Sequence, residues 1–125
     1  MTTGEFTESV RHLPNQLRDI AVAAADLDGL PNVDGVTSVV ILGTGGARIG
    51  GDALEAICEL TAKVPIVATG ARCPAWVGES SLAIVVSRSG DDGGVVEAAE
   101  EARRAGASLV VITAGGALGD AARSW

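Results

Sequence analysis

The chain has 125 residues, 47% of them hydrophobic, and a formal net charge of −7. That is enough apolar material for one domain with a single core, and too much for a disordered chain. Its only aromatic residues are Phe6, Trp76 and Trp125 and its balance is acidic, so it lacks the stacking platform and basic face of a nucleic-acid binder; the charge reads as solubility.

The opening segment, MTTGEFTESV, carries neither a basic n-region nor an apolar h-region, and no apolar run reaches the roughly 20 residues of a membrane span. No membrane partner is expected. Residues 7–28 place Val10, Leu13, Leu17, Ile20, Val22 and Ala24 at helical spacing, which predicts an amphipathic helix on one side of a core, with Pro14 restarting it. The turn-rich GLPNVDGVT, residues 29–37, closes an N-terminal helical segment over 1–37.

A regular alternation follows over 38–125. SVVILG (38–43), PIVAT (65–69), SLAIVVS (81–87) and SLVVITAG (108–115) read as strands. GDALEAICELTAK (51–63) has helical spacing at Leu54, Ile57, Cys58 and Leu60, and GVVEAAEEARRAG (94–106) puts Val95, Ala98, Ala99 and Ala102 on one face. Gly106 stands where a helix C-cap belongs, and residues 118–125 begin another helix. Apolar strands alternating with helices predict an α/β fold: a three-layer αβα sandwich on a parallel, flavodoxin-like or Rossmann-like sheet of at least four strands in order 2-1-3-4. Loops 43–51 and 87–94 then lie at the carboxyl ends of adjacent strands, where open α/β sheets bind ligands.

Cys58 and Cys73 are fifteen apart without a CxxC pattern, and His12 is the single histidine, so no zinc framework exists. Cys58 reads as core and Cys73 as a loop thiol; two isolated thiols fit a reducing cytoplasm.

The glycine cluster GTGGARIGGD matches neither common phosphate fingerprint. A dinucleotide motif needs glycine at position 48, which is Arg48, and a P-loop needs Lys and Ser/Thr where Gly51 and Asp52 stand. No cofactor is therefore expected. Five glycines in so short a run exceed the needs of a tight β-to-α turn, and favour close approach of an anion to backbone amides. VVSRSGDDGG, residues 85–94, adds hydroxyls at Ser87 and Ser89, but sets Asp91 and Asp92 directly beside them.

The ordered motifs LPNQLRDIA, VVILGTGGARIGGDAL, CPAWVG, SLAIVVSRSG and SLVVITAGGALGD resemble sugar isomerase (SIS) domains. They are most like the first SIS domain of the bifunctional phosphoglucose/phosphomannose isomerase family, with its GMGGSxIGGD, PAWVG, SYSGNTEET and TSGGxL motifs. The resemblance implies five parallel strands per SIS domain, two such domains per chain, often a dimer, and interconversion of glucose 6-phosphate or mannose 6-phosphate with fructose 6-phosphate. Carried over position by position, it implies a sugar-phosphate site at Gly45, Gly46, Ala47, Arg48, Ser87, Arg88, Ser89, Gly90 and Asp92. Ser87 and Ser89 keep the family hydroxyls. Ala47 replaces a serine, Asp91 an asparagine and Asp92 a threonine. Two hydroxyls are lost and two like charges gained, which weakens phosphate binding by several orders of magnitude; Arg48 and Arg88 would offset part of that if they turned inward, but both read first as surface arginines. The aspartates also suit a helix N-terminus.

The family's catalytic Glu, His and Lys come from beyond this chain, and no proton-transfer base is assembled here, so no catalytic residue and no metal ligand is assigned. The chain ends after four strands where an SIS domain has five, so it reads as a fragment or a protein cut short. The expectation is an SIS-domain sugar-phosphate-binding module with a degenerate phosphate loop, working as a cytoplasmic homodimer with part of 108–125 in the interface. The alternatives are an isomerase that borrows groups from a partner or longer chain, and a non-catalytic structural or regulatory relic.

Overall fold

The structure, a computed structural model, describes residues 1–125 and divides into two compact units, Met1–Leu30 and Pro31–Trp125.

The first unit is essentially one helix, α1 (Thr3–Ala25). It begins in a capping box: the Thr2 hydroxyl accepts from the Glu5 amide at 3.2 Å, and the Thr2 amide donates to Glu5 Oε2 at 2.6 Å. Pro14 does not restart the helix but lies inside it. Along a helix exposed over its whole length, the carbonyl that proline leaves without a donor can meet water. The amphipathic pattern is present, but no α1 residue is buried.

The second unit contains β1 (Ser38–Leu42), α2 (Gly46–Cys58), β2 (Ile66–Gly70), β3 (Ser81–Ser87), α3 (Gly93–Arg104), β4 (Ser108–Thr113) and α4 (Gly116–Ser124). The strands form one sheet in order β2-β1-β3-β4, and every pairing is parallel. This is the expected order, with its reversal between β1 and β3. The β1–β3 register runs from Ser38↔Ser81 to Leu42↔Val85, so both strands end level with each other.

One sheet face carries the core. Val40, Leu42, Ala83 and Val85 pack with Val95, Ala98, Ala99 and Ala102 of α3 and with Leu118 of α4. Alanine on the inner face of α3 lets its backbone approach the sheet closely. The helix is capped at both ends: Asp92 at the start, and at the finish Gly106 (φ +93°), whose amide bonds to Arg103 O while the Ala107 amide bonds to Ala102 O. Leu118 is fully buried, so Leu118→Ala is expected to cost about 3 kcal/mol, read from a urea denaturation midpoint.

The opposite face shows two departures from the periodicity reading. α2 starts five residues earlier than the expected 51 and ends at Cys58 rather than 63. Its sheet-facing contact is Gly51, where a Cβ would sit 3.1 Å from Ile41 Cγ2 and 3.2 Å from Ala68 Cβ. The apolar side chains expected inside point outward instead: Ile57 is 73% and Leu60 94% exposed, and Cys58 is half-buried at the helix end. Close packing through glycine replaced packing through the apolar stripe. At the β2 edge, Glu55 of α2 accepts the Ala68 amide at 2.8 Å, which occupies a donor that an open edge would present. On β3 and β4 the same face, including Leu82, Ile84, Val86 and Val110, is half-buried, and Ile112 is 55% exposed.

Candidate functional site

The strand-order reversal opens a crevice at the carboxyl ends of β1, β3 and β4, the position where open α/β sheets take ligands. It has a volume of about 1020 Å³, and Gly46, Ala47, Ser87, Arg88, Ser89 and Asp92 line it together with Thr44 and the end of β4. Six of the nine expected binding residues therefore meet in one place. Gly45, Arg48 and Gly90 do not line the crevice.

Each of the three has a structural occupation. Gly45, at φ +58°, is the α2 N-cap, and its carbonyl accepts from the Arg48 and Ile49 amides. Arg48 Nε pairs with Asp52 Oδ1 at 2.9 Å, one helical turn on, and its guanidinium lies beside Gly70. This is the surface arginine expected from the sequence rather than the inward-turned alternative: its carboxylate partner is within α2. Gly90, at φ +73°, is buried under the β4–α4 turn.

The glycine cluster is shorter as a loop than its sequence suggests. Helical bonding starts at once, with the Ala47 amide donating to Thr44 O and the Arg48 amide to Gly45 O. Gly43 is required because a Cβ there would meet both Ala47 Cβ and Val86 O at 2.9 Å. Gly43 and Gly51 thus serve close backbone packing and Gly45 a positive φ, while Gly46 and Gly50 face open space.

The second loop is organised by its own side chains. Ser87 Oγ accepts from the Gly90 amide at 3.1 Å and Ser89 Oγ from the Asp91 amide at 3.2 Å. Both hydroxyls accept within the loop, so their protons remain free to donate. Asp92 caps α3: Oδ1 accepts from the Gly94 and Val95 amides at 3.0 and 3.2 Å, and Oδ2 accepts from the Thr44 hydroxyl at 2.6 Å. Asp91 Oδ1 accepts from the Ala117 amide at 3.0 Å, at the start of α4. Arg88 is exposed at the mouth and forms no ion pair.

No protein-family model matches the chain. Over 89% of its length it is 31% identical to a bifunctional phosphoglucose/phosphomannose isomerase of Caldicellulosiruptor bescii, covering 33% of that protein. Over 93% of its length it is 32% identical to one of Thermoplasma acidophilum, covering 34%. The chain thus spans about a third of the length of the curated relatives it matches. Its fold superposes on the crystal structure of tagatose-6-phosphate ketose/aldose isomerase from Escherichia coli with a TM-score of 0.56, at 16% identity, over 94% of this chain and 33% of that one.

The chain carries an SIS domain. It is of the phosphosugar isomerase-like kind, as its relatives and its four-stranded parallel sheet agree.

Within this SIS domain two contacts went unforeseen. Thr44 lies in the glycine motif, yet its bond to Asp92 joins residues 48 apart. Asp91 reaches a helix start 26 residues away. Neither leaves a local signature. The Asp92 carboxyl is held below its ordinary range, first by the Thr44 hydroxyl and then by the Val95 amide, with desolvation opposing them and the Gly94 amide adding least. A carboxyl whose folded pKa is depressed contributes stability above its unfolded value and loses it as pH falls through the folded value. The wild-type urea midpoint should therefore drop below about pH 4, and Asp92→Asn should flatten that acid limb. Equal pH profiles in the two chains would exclude Asp92 as a contributor. Cys73 shifts the other way: burial, then the nearby Glu101 charge, raises its thiol pKa, which keeps it protonated at neutral pH and a weak nucleophile. No group of three or more His, Cys, Asp or Glu side chains is placed to hold a metal ion.

Proposed function

We propose that this chain is a sugar-phosphate-binding SIS module, like those of the phosphoglucose/phosphomannose isomerases it resembles, whose anion seat is filled from within. The carrying observation is the bonding of Asp92. Two amides at the α3 N-terminus and the Thr44 hydroxyl are the donors a phosphate would take, and one carboxylate accepts from all three. What remains for a ligand is the Ser87 and Ser89 hydroxyls and the Arg88 guanidinium.

On this reading the chain does not isomerise sugars by itself. Aldose–ketose isomerisation requires a base at C1/C2 and an acid for ring opening. No histidine or lysine lines the crevice; His12 lies in α1, with Nε2 at 2.9 Å from Glu8 Oε1. The two free thiols suit a reducing compartment, so a cytoplasmic location belongs to the same proposal. Isothermal titration of the wild-type chain with fructose 6-phosphate tests it: weak binding is expected, micromolar affinity would overturn the filled seat, and no heat at any concentration would overturn the binding role.

A further inference from the structure

Asp92 takes the strongest donors of the anion seat, and the side-chain donors it leaves can be counted. Thr44 gives its hydroxyl proton to Asp92, and Thr113 gives its own to Gly115 O, so neither serves a ligand. The Ser87 and Ser89 hydroxyls accept from loop amides and donate to no protein group. Ser87 is only 7% exposed, so the crevice it lines is where its unused proton can meet an acceptor. Arg88 lines the same crevice and has no carboxylate partner. The open donors are therefore two hydroxyls and one guanidinium fork.

That set matches a carboxylate better than a phosphate. A carboxylate has two oxygens with about four acceptor sites, which two hydroxyls and the paired N–H groups of an arginine fork fill. A phosphate monoester brings three terminal oxygens and a charge of about −1.5 to −2 at neutral pH. Its third oxygen would face Asp92, whose ionised carboxyl has no proton to give. Charge points the same way. Asp91 and Asp92 outweigh Arg88 by one negative charge, so the local field opposes any anion, and a double charge about twice as much as a single one. Beside the donors, Val86 and Ile112 pair in register on β3 and β4 and both line the crevice. They give it an apolar step suited to the C–H face of a sugar ring. Within the sugar-binding reading above, we infer that the ligand class of this crevice is the sugar carboxylate, a uronic or aldonic acid, held by Arg88, Ser87 and Ser89 in preference to a sugar phosphate.

D-glucuronate and D-glucose 6-phosphate make the matched test, since they differ only in the group that carbon 6 carries. In calorimetric titrations of the whole chain at neutral pH, glucuronate should bind tighter than glucose 6-phosphate by roughly 10-fold or more, and tighter than acetate, which has no ring. Arg88→Leu should abolish the preference, and Arg88→Lys, which keeps the charge but not the fork, should restore only part of it. Arg88 is exposed, so neither substitution disturbs the core. Asp91→Asn with Asp92→Thr should move the ratio back toward the phosphate by roughly 10-fold or more. Glucose 6-phosphate bound weakly, yet as well as glucuronate, would overturn the carboxylate preference and leave the sugar-binding reading standing. Glucuronate bound with no phosphate binding at all would support the preference and end the sugar-phosphate reading. No binding of either sugar would overturn both, and glucuronate affinity unmoved by Arg88→Leu would overturn the contact assigned to Arg88.

Discussion

Changing Asp91 to Asn and Asp92 to Thr is expected to create measurable fructose 6-phosphate binding where the wild-type chain has little or none. Both substitutions are tolerable locally. Asparagine at 91 keeps an oxygen that can accept from the Ala117 amide, and threonine at 92 remains a competent N-cap for α3. What changes is the field at the carboxyl ends of β1 and β3. Two like charges leave the vicinity of a phosphate, one hydroxyl is added, and Thr44 is freed to donate to a ligand instead of to Asp92. Affinity should improve by roughly 100-fold or more, since close like-charge pairs and hydrogen bonds to charged groups are the strong terms at such sites. Adding Ala47→Ser, at a residue that lines the crevice, should improve it again. Calorimetry reads the series directly. Tight binding by wild type would mean that Arg88 already compensates the aspartates, and no gain in the triple variant would place the determinant outside these two loops.

Gly90→Ala is expected to be the most damaging small substitution in the chain, costing at least about 3 kcal/mol in a urea denaturation series. Backbone conformation and packing act together here. The residue sits at φ +73°, where a Cβ is disfavoured, and an added Cβ would overlap the Gly115 carbonyl oxygen of the β4–α4 turn. The backbone cannot shift to relieve this, because the Gly90 amide donates to Ser87 Oγ and its carbonyl accepts from the Leu118 amide at 2.8 Å. Gly50→Ala is the comparison. It lies inside α2 with nothing within 4 Å of the added atom, and should stabilise by about 0.5–1 kcal/mol. Similar effects at both sites would show that the two turns are not interlocked as described.

That interlock also explains why Asp91 and Asp92 matter together. Asp92 ties the β1–α2 turn to the start of α3, and Asp91 ties the β3–α3 turn to the start of α4. Adjacent residues thus fasten three strand ends. An anion that entered the seat would have to displace a carboxylate already serving as a cap, so under the proposed function the expected affinity falls further than charge repulsion alone would take it.

Much of this was legible in the sequence because it depends on local pattern. Four β-branched runs, with helical periodicities after the first and the third, point to a parallel sheet, and right-handed crossovers with one glycine turn after β1 restrict it to the order observed. The inner face of α3, its Asp92 start and its Gly106 finish follow from spacing and capping rules that act within a few residues. The motif order was enough to point to an SIS domain. Other features were settled only by residues far apart in the chain. Ile57 and Leu60 have the periodicity of a core face, yet α2 packs through Gly51 close to Ile41 and Ala68 with Ile57 outward, and it ends before Leu60. Arg48 could have faced the crevice, but the helix brought Asp52 one turn away and that pairing was nearer. The Thr44–Asp92 and Asp91–Ala117 bonds span 48 and 26 residues. No local rule encodes such pairs, because they exist only once parallel strands have brought three turns to the same edge of the sheet.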